Sequence, residues 1–154
     1  MPDIDRRSIA DLLTRYELEP GLNDLYVEGT FDRDVFESHF RGKSAGRPVY
    51  EIDTVDIPAA VLVAHGLTEG NKQRVIALAK ELSRVKRSCK YLCLVDRDLD
   101  HVPGPLARVK RLRWTTYCST ELHFLSEATL SELLLVTCKT RIPNFTDFFE
   151  SLVQ

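Results

Sequence analysis

The sequence predicts an α/β protein with a mainly parallel central sheet and helices on both faces. Three observations carry that expectation. The run YLCLVD at 91–96 is continuously apolar up to its final aspartate, as a strand buried on both sides should be. Short apolar runs alternate with amphipathic helical stretches along the chain. Acidic residues fall where the strands stop, at the sheet end where α/β folds collect ligands.

Taken in order, residues 8–18 place Ile9, Leu12, Leu13 and Tyr16 on one helical face, and Pro20-Gly21 closes that helix. Residues 24–27 form a short strand running into Glu28-Gly29. A second helix follows, with Phe31, Val35, Phe36 and Phe40 as its apolar stripe, Thr30 as N-cap, and Asp32 and Asp34 against the positive end of its dipole. RGKSAGRP is a loop and 48–52 a strand. Val55 and Ile57 suggest a short edge strand or turn before a brief helix at 58–65. Residues 72–86 are the clearest helix, with Val75, Leu78, Ala79, Leu82 and Val85 facing one way. After the strand 91–96 come the loop DRDLDHVPGP, a strand at 112–117, and helices at 119–126, 128–137 and 144–153. Trp114 and the helical phenylalanines read as core.

At 154 residues and 44% apolar, the chain can bury a core without staples and reads as one domain, 1–154, with no repeat or linker. The net charge of −2 excludes a basic coat over the whole surface. The four cysteines, Cys89, Cys93, Cys118 and Cys138, lack CxxC spacing, and the four histidines lack metal spacing. The charged N-terminus is no signal peptide, and no apolar run approaches the ~20 residues of a membrane span. The expectation is a soluble, reduced, cytoplasmic protein without a membrane partner.

The chemistry is expected where Glu28 ends one strand and Asp96 another, with Asp98 and Asp100 just beyond and Glu121 after the strand 112–117. Carboxylates converging on one rim repel each other, and a divalent cation relieves the conflict. Oxygen ligands suit Mg²⁺ or Mn²⁺ better than zinc. In an extended segment Asp96 and Asp98 point the same way and Arg97 points away. Positive surface is concentrated in RVKRLR, with Arg108, Lys110, Arg111 and Arg113, and in Arg84, Lys86, Arg87 and Lys90. Such runs are often only solvated faces, as Asp98, Asp100, Glu121 and Lys72 can also be.

The segments YVEGTFDRDVF (26–36), EGNKQRVIAL (69–78), YLCLVDRDLD (91–100) and TTYCSTELHFL (115–125) resemble a Toprim domain, over roughly residues 23–125. The subtype is similar to that of OLD-type (overcoming lysogenization defect) nucleases, often coupled to ABC-type ATPases in phage defence. The resemblance implies a Rossmann-like Toprim fold. It makes Glu28 the first-motif glutamate, Asp96 and Asp98 the DxD metal ligands, Glu121 a later acidic ligand, and Asn71-Lys72 the polar segment between motifs. Where topoisomerases and primases usually carry glycine after DxD, this chain has Asp100 and His101, which favours the nuclease branch. The implied function is Mg²⁺-dependent hydrolysis of DNA or RNA phosphodiesters, with Lys72 stabilising phosphoryl charge. Two alternatives stay open: a nucleotide hydrolase or nucleotidyl transferase, and a non-catalytic module that binds an ATPase or nucleic acid. No GxxxxGK[ST] occurs, so any ATP dependence comes from a partner. A homo-oligomer is also open.

Overall fold

The structure is a computed structural model that describes residues 6–43, 46–100, 104–124 and 126–153. His101 and the middle of the loops 41–48 and 96–105 lie outside the described residues. The chain divides into two units, residues 1–118 and 119–154.

The first unit is α/β. Its elements are β1 (Arg7–Ser8), α1 (Ile9–Leu18), β2 (Leu25–Val27), α2 (Thr30–Phe40), β3 (Val49–Glu51), β4 (Val55–Asp56), α3 (Ala59–Ala64), α4 (Asn71–Leu82), β5 (Leu92–Val95) and β6 (Leu112–Trp114). The main sheet has the order β3-β2-β5-β6, and every neighbouring pair is parallel. β1 and β4 form a separate parallel pair, so the segment at Val55 joins the N-terminus instead of edging the main sheet.

Alternation along the strands sends side chains to two separate cores. Tyr26, Cys93 and Val95 join α1 and α4 in the larger core, with Leu12, Tyr16, Val75, Leu78 and Leu82 fully buried. Leu25, Val27, Val49, Leu92 and Leu94 meet Phe36 and Phe40 of α2 in the smaller one. Helices therefore cover both faces, as the sequence predicts. α4 realises the expected stripe of Val75, Leu78, Ala79 and Leu82, and Val85 is buried just past its end.

The N-terminus of α1 is fixed by a capping box. The Ser8 hydroxyl oxygen accepts the Asp11 N–H at 3.1 Å, and the Asp11 carboxylate accepts from the Ser8 N–H at 3.2 Å. Beneath the sheet's other end, Asp24 is fully buried and accepts the Tyr16 hydroxyl at 2.8 Å, with Arg15 at 3.5 Å. The Tyr16 and Tyr26 hydroxyls lie 2.9 Å apart, so one polar chain pins α1 to β2.

Several expected boundaries move. Gly29, not Thr30, is the N-cap of α2; the Thr30 hydroxyl instead donates to Glu51 at 3.1 Å. Phe31 is half exposed and leaves the apolar stripe. α4 stops at Leu82, short of residue 86. β6 stops at Trp114, because the Thr115 hydroxyl turns to donate to Tyr117 O at 2.7 Å. Trp114 is partly buried against the larger core and donates its indole N–H to Ala107 O.

The second unit holds a 3-10 turn, Thr120–Phe124, in place of the helix expected at 119–126, followed by α5 (Glu127–Thr137) and α6 (Phe145–Val153). Ser126 caps α5 by accepting the Thr129 N–H, and the Thr146 hydroxyl donates to Glu127 at 2.6 Å, joining α6 to α5. Among the described residues, no helix is long and apolar enough to cross a membrane.

Leu78 is fully buried at the centre of the larger core. Leu78→Ala should lower unfolding stability by about 3 kcal/mol through lost transfer energy and a residual cavity. Urea denaturation should register this as a lower midpoint with an unchanged slope.

Candidate active site at the strand ends

The strand order creates the place for a site. From β2 the chain crosses by α2 to β3 on one side; it returns by α3 and α4 to β5 on the other side of β2. The winding direction reverses between β2 and β5, and a crevice opens at the carboxyl ends of such a pair. Glu28 follows the last residue of β2, and Asp96 follows the last residue of β5.

These two positions are joined directly. Glu28 Oε1 accepts the backbone N–H of Asp96 at 2.8 Å. The first turn of α4 closes over the same rim, with Asn71 Nδ2 donating to the Glu28 carbonyl at 2.9 Å. Arg74 fixes that helix end by an ion pair with Asp53 and by donating to Val55 O at 3.0 Å. Gly70, which precedes Asn71, has φ +123°, where a side chain would be strained.

Asp98 does not lie in an extended segment, which corrects the expected geometry of the DxD pair. Its φ is +44°, in the left-handed region that aspartate tolerates better than most residues. The backbone turns there, and the Asp98 N–H donates to Cys118 O at 2.7 Å. The Asp98 carboxylate meets Lys72 Nζ, which also bonds Asp100 at 2.9 Å. Arg97 donates its backbone N–H to the buried Thr115 hydroxyl at 2.9 Å. Its buried Nε has no hydrogen-bond partner among the described residues.

Electrostatics single out Glu28. Burial pushes its pKa up from 4.5 to about 7. The Asp96 N–H bond and the charge of Lys72 oppose that rise, and the charges of Asp96 and Asp32 add to it. For Lys72, burial works downward, and the bonds to Asp98 and Asp100 more than offset it, so its pKa rises. Glu51, the acidic residue at the end of β3, is neutralised by Arg33.

The predicted site residues thus separate. Glu28, Asp96, Asp98 and Lys72 gather at one rim of the first unit, with Asn71 and Asp100 beside them. Glu121 lies in the 3-10 turn of the second unit, where its side chain is exposed. Of the basic run, Arg108, Lys110 and Arg113 are exposed. Arg111 is a structural residue: it donates to Cys89 O at 2.6 Å and sits over the Tyr91 ring. In the second basic group Arg84 pairs with Glu81, while Lys86, Arg87 and Lys90 are exposed. The sequence reading missed Thr115, whose only signal was its place just past a strand opposite the DxD loop, and it set Arg97 aside.

Among the described residues, no group of three or more His, Cys, Asp or Glu side chains is gathered closely enough to hold a metal ion. The donor chemistry still fits Mg²⁺, which is commonly held by one or two carboxylates completed by water and substrate phosphate. Glu28 and Asp96 supply that pair on adjacent strand ends without a soft ligand.

A carboxyl whose folded pKa exceeds its unfolded one binds more protons in the folded state between the two values. Stability should therefore fall as pH rises from about 4.5 to about 7 on account of Glu28. Glu28→Gln should flatten that decline, as read from urea midpoints at stepped pH. An unchanged profile would mean that Glu28 titrates as a solvated carboxyl.

Comparison with protein-family models and with curated proteins found no match to this chain.

Proposed function

We propose that the chain is a Mg²⁺-dependent nuclease that hydrolyses phosphodiester bonds of DNA or RNA at the β2–β5 rim. One observation carries the reading: two carboxylate residues from separate strands meet at the point where the sheet reverses its winding, joined by the Glu28–Asp96 bond. Three segments that resemble a Toprim domain supply Glu28, Asn71-Lys72 and Asp96–Asp98 to this rim.

In this reading Glu28 and Asp96 would hold the cation, with Asp98 as the second aspartate of the DxD pair; Mn²⁺ would substitute. When bound, such an ion would lower the pKa of a coordinated water and shield charge on the scissile phosphate. The protein's own part begins with Glu28. Its raised pKa marks a carboxylate that gains from a nearby positive charge. The Asp96 N–H fixes one of its oxygens. Asn71 ties α4 to the same strand end, which keeps Lys72 within reach of the rim. Lys72 then supplies positive charge for the phosphoryl group. Arg108, Lys110 and Arg113 would contact the nucleic-acid backbone. The resemblance adds an ABC-type ATPase partner and a cytoplasmic role in antiviral defence to the proposal.

Asp96→Ala and Glu28→Ala should each cut Mg²⁺-dependent cleavage of DNA, tRNA or a model diester by about a hundredfold or more, the scale expected when a metal's catalytic contribution of several kcal/mol is lost. Full activity in either variant would falsify the assignment. Cleavage of free nucleotides with nucleic acid left intact would instead identify a nucleotide hydrolase.

If the basic run tracks a backbone, wild-type binding should weaken steadily with salt. Replacing Arg108, Lys110 and Arg113 by alanine should then reduce the log–log slope by roughly one per residue. A slope that survives all three substitutions would exclude this run as the contact surface.

A further inference from the structure

Lys72 stands in a position that the proposed chemistry does not explain. A lysine meant to meet a phosphate should present a free charge. Here its side chain is only 13% exposed, and its ammonium is held by two carboxylates at once, Asp98 and Asp100. A cation shared between two anions has little field left for a third. Asp98, for its part, already carries a positive partner.

We propose that Lys72 is a displaceable internal counter-cation, which competes with a divalent ion for Asp98 and is freed from it when the ion binds. The proposal rests on the metal reading above and adds a regulated order of events at the same rim. The parts are suited to exchange. Asp98 and Asp100 sit on a turn and are 58% and 46% exposed, so their carboxylates can reorient cheaply. Glu28 and Asp96 are held at the strand ends and stay in place. Lys72 lies on the first turn of α4, which Asn71 and Arg74 anchor to β2 and to the β3–β4 connection. Once released from Asp98, its ammonium therefore remains at the rim, beside Glu28, whose pKa its charge lowers. Ion pairs of this exposure are individually weak, so the exchange is not prohibitive. The same cation that blocks a ligand becomes the cation available for phosphate.

The test is Mn²⁺ binding to the full chain by titration calorimetry, without substrate, for wild type and Lys72→Met. Removing the competing charge should tighten binding about fivefold to tenfold, the sum of two modest ion pairs and one removed repulsion. Wild-type binding with equal or weaker binding in the variant overturns the counter-cation and leaves the metal site standing. No binding in either protein overturns the metal site and the counter-cation with it. Should Lys72→Met fail to fold, ¹⁵N observation of the wild-type lysine ammonium groups decides. The Lys72 signal should shift on saturation with Mg²⁺, and an unmoved signal alongside shifted Asp98 resonances rejects the exchange.

Discussion

The parallel pairing of β2 with β5 is the constraint on which the rest depends. Leu25 lies opposite Leu92 and Tyr26 opposite Cys93, so the two strands run out together. The register carries Glu28 to the level of Val95, one position short of Asp96, and there its carboxylate accepts the Asp96 N–H. A shift of β5 by one position would send Cys93 to the α2 side and Leu92 to the other, leaving a gap in both cores. The register that fills both cores therefore also brings the Glu28 carboxylate to the Asp96 N–H.

That alignment has an electrostatic cost, and the first unit meets it unevenly. Arg33 pairs with Glu51, Arg74 pairs with Asp53, and Lys72 is shared between Asp98 and Asp100. Glu28 receives one backbone N–H and only the more distant field of Lys72, and its pKa is pushed up to about 7. Glu51, Asp53, Asp98 and Asp100 thus each touch a basic side chain, whereas Glu28 is bonded to a backbone N–H. A group left with uncompensated charge in a crevice is where a cation gains most. The pattern is one of local distribution, since a net charge of −2 over the chain says nothing about it.

The architecture was legible in the sequence because its signals are periodic. The stripe of α4 and the unbroken apolar run of β5 each require only spacing to be read, and both are present. Boundaries were less legible where a side chain competes with the backbone. Thr30 looked like a cap and serves Glu51 instead; Thr115 looked like strand and ends it by bonding Arg97 N and Tyr117 O. At the site, Glu28 and Asp96 could be placed from strand ends alone. Asp98 could not, because its left-handed backbone depends on a bond to Cys118 O, a partner twenty positions away in sequence that no local pattern announces. Nor could the sequence show that Lys72 would spend its charge on two aspartates.

The contrast between the two halves of the acidic site has a mechanical meaning. Glu28 and Asp96 are fixed to adjacent parallel strands, so their separation is set by the sheet and changes little. Asp98 and Asp100 occupy a turn held by the Cys118 bond, by the bond of the Arg97 N–H to Thr115 and by the Lys72 ion pairs. A left-handed aspartate costs little when it is well bonded and more when it is not. Displacing Lys72, as proposed, would therefore remove one of the contacts that hold this turn. The turn could then adapt to a new cation, while the strand ends keep their geometry. On the proposed reading, a rim built in this way would accept a hard ion without distorting the sheet, because the exchange would be confined to residues 97–100, which carry none of either core.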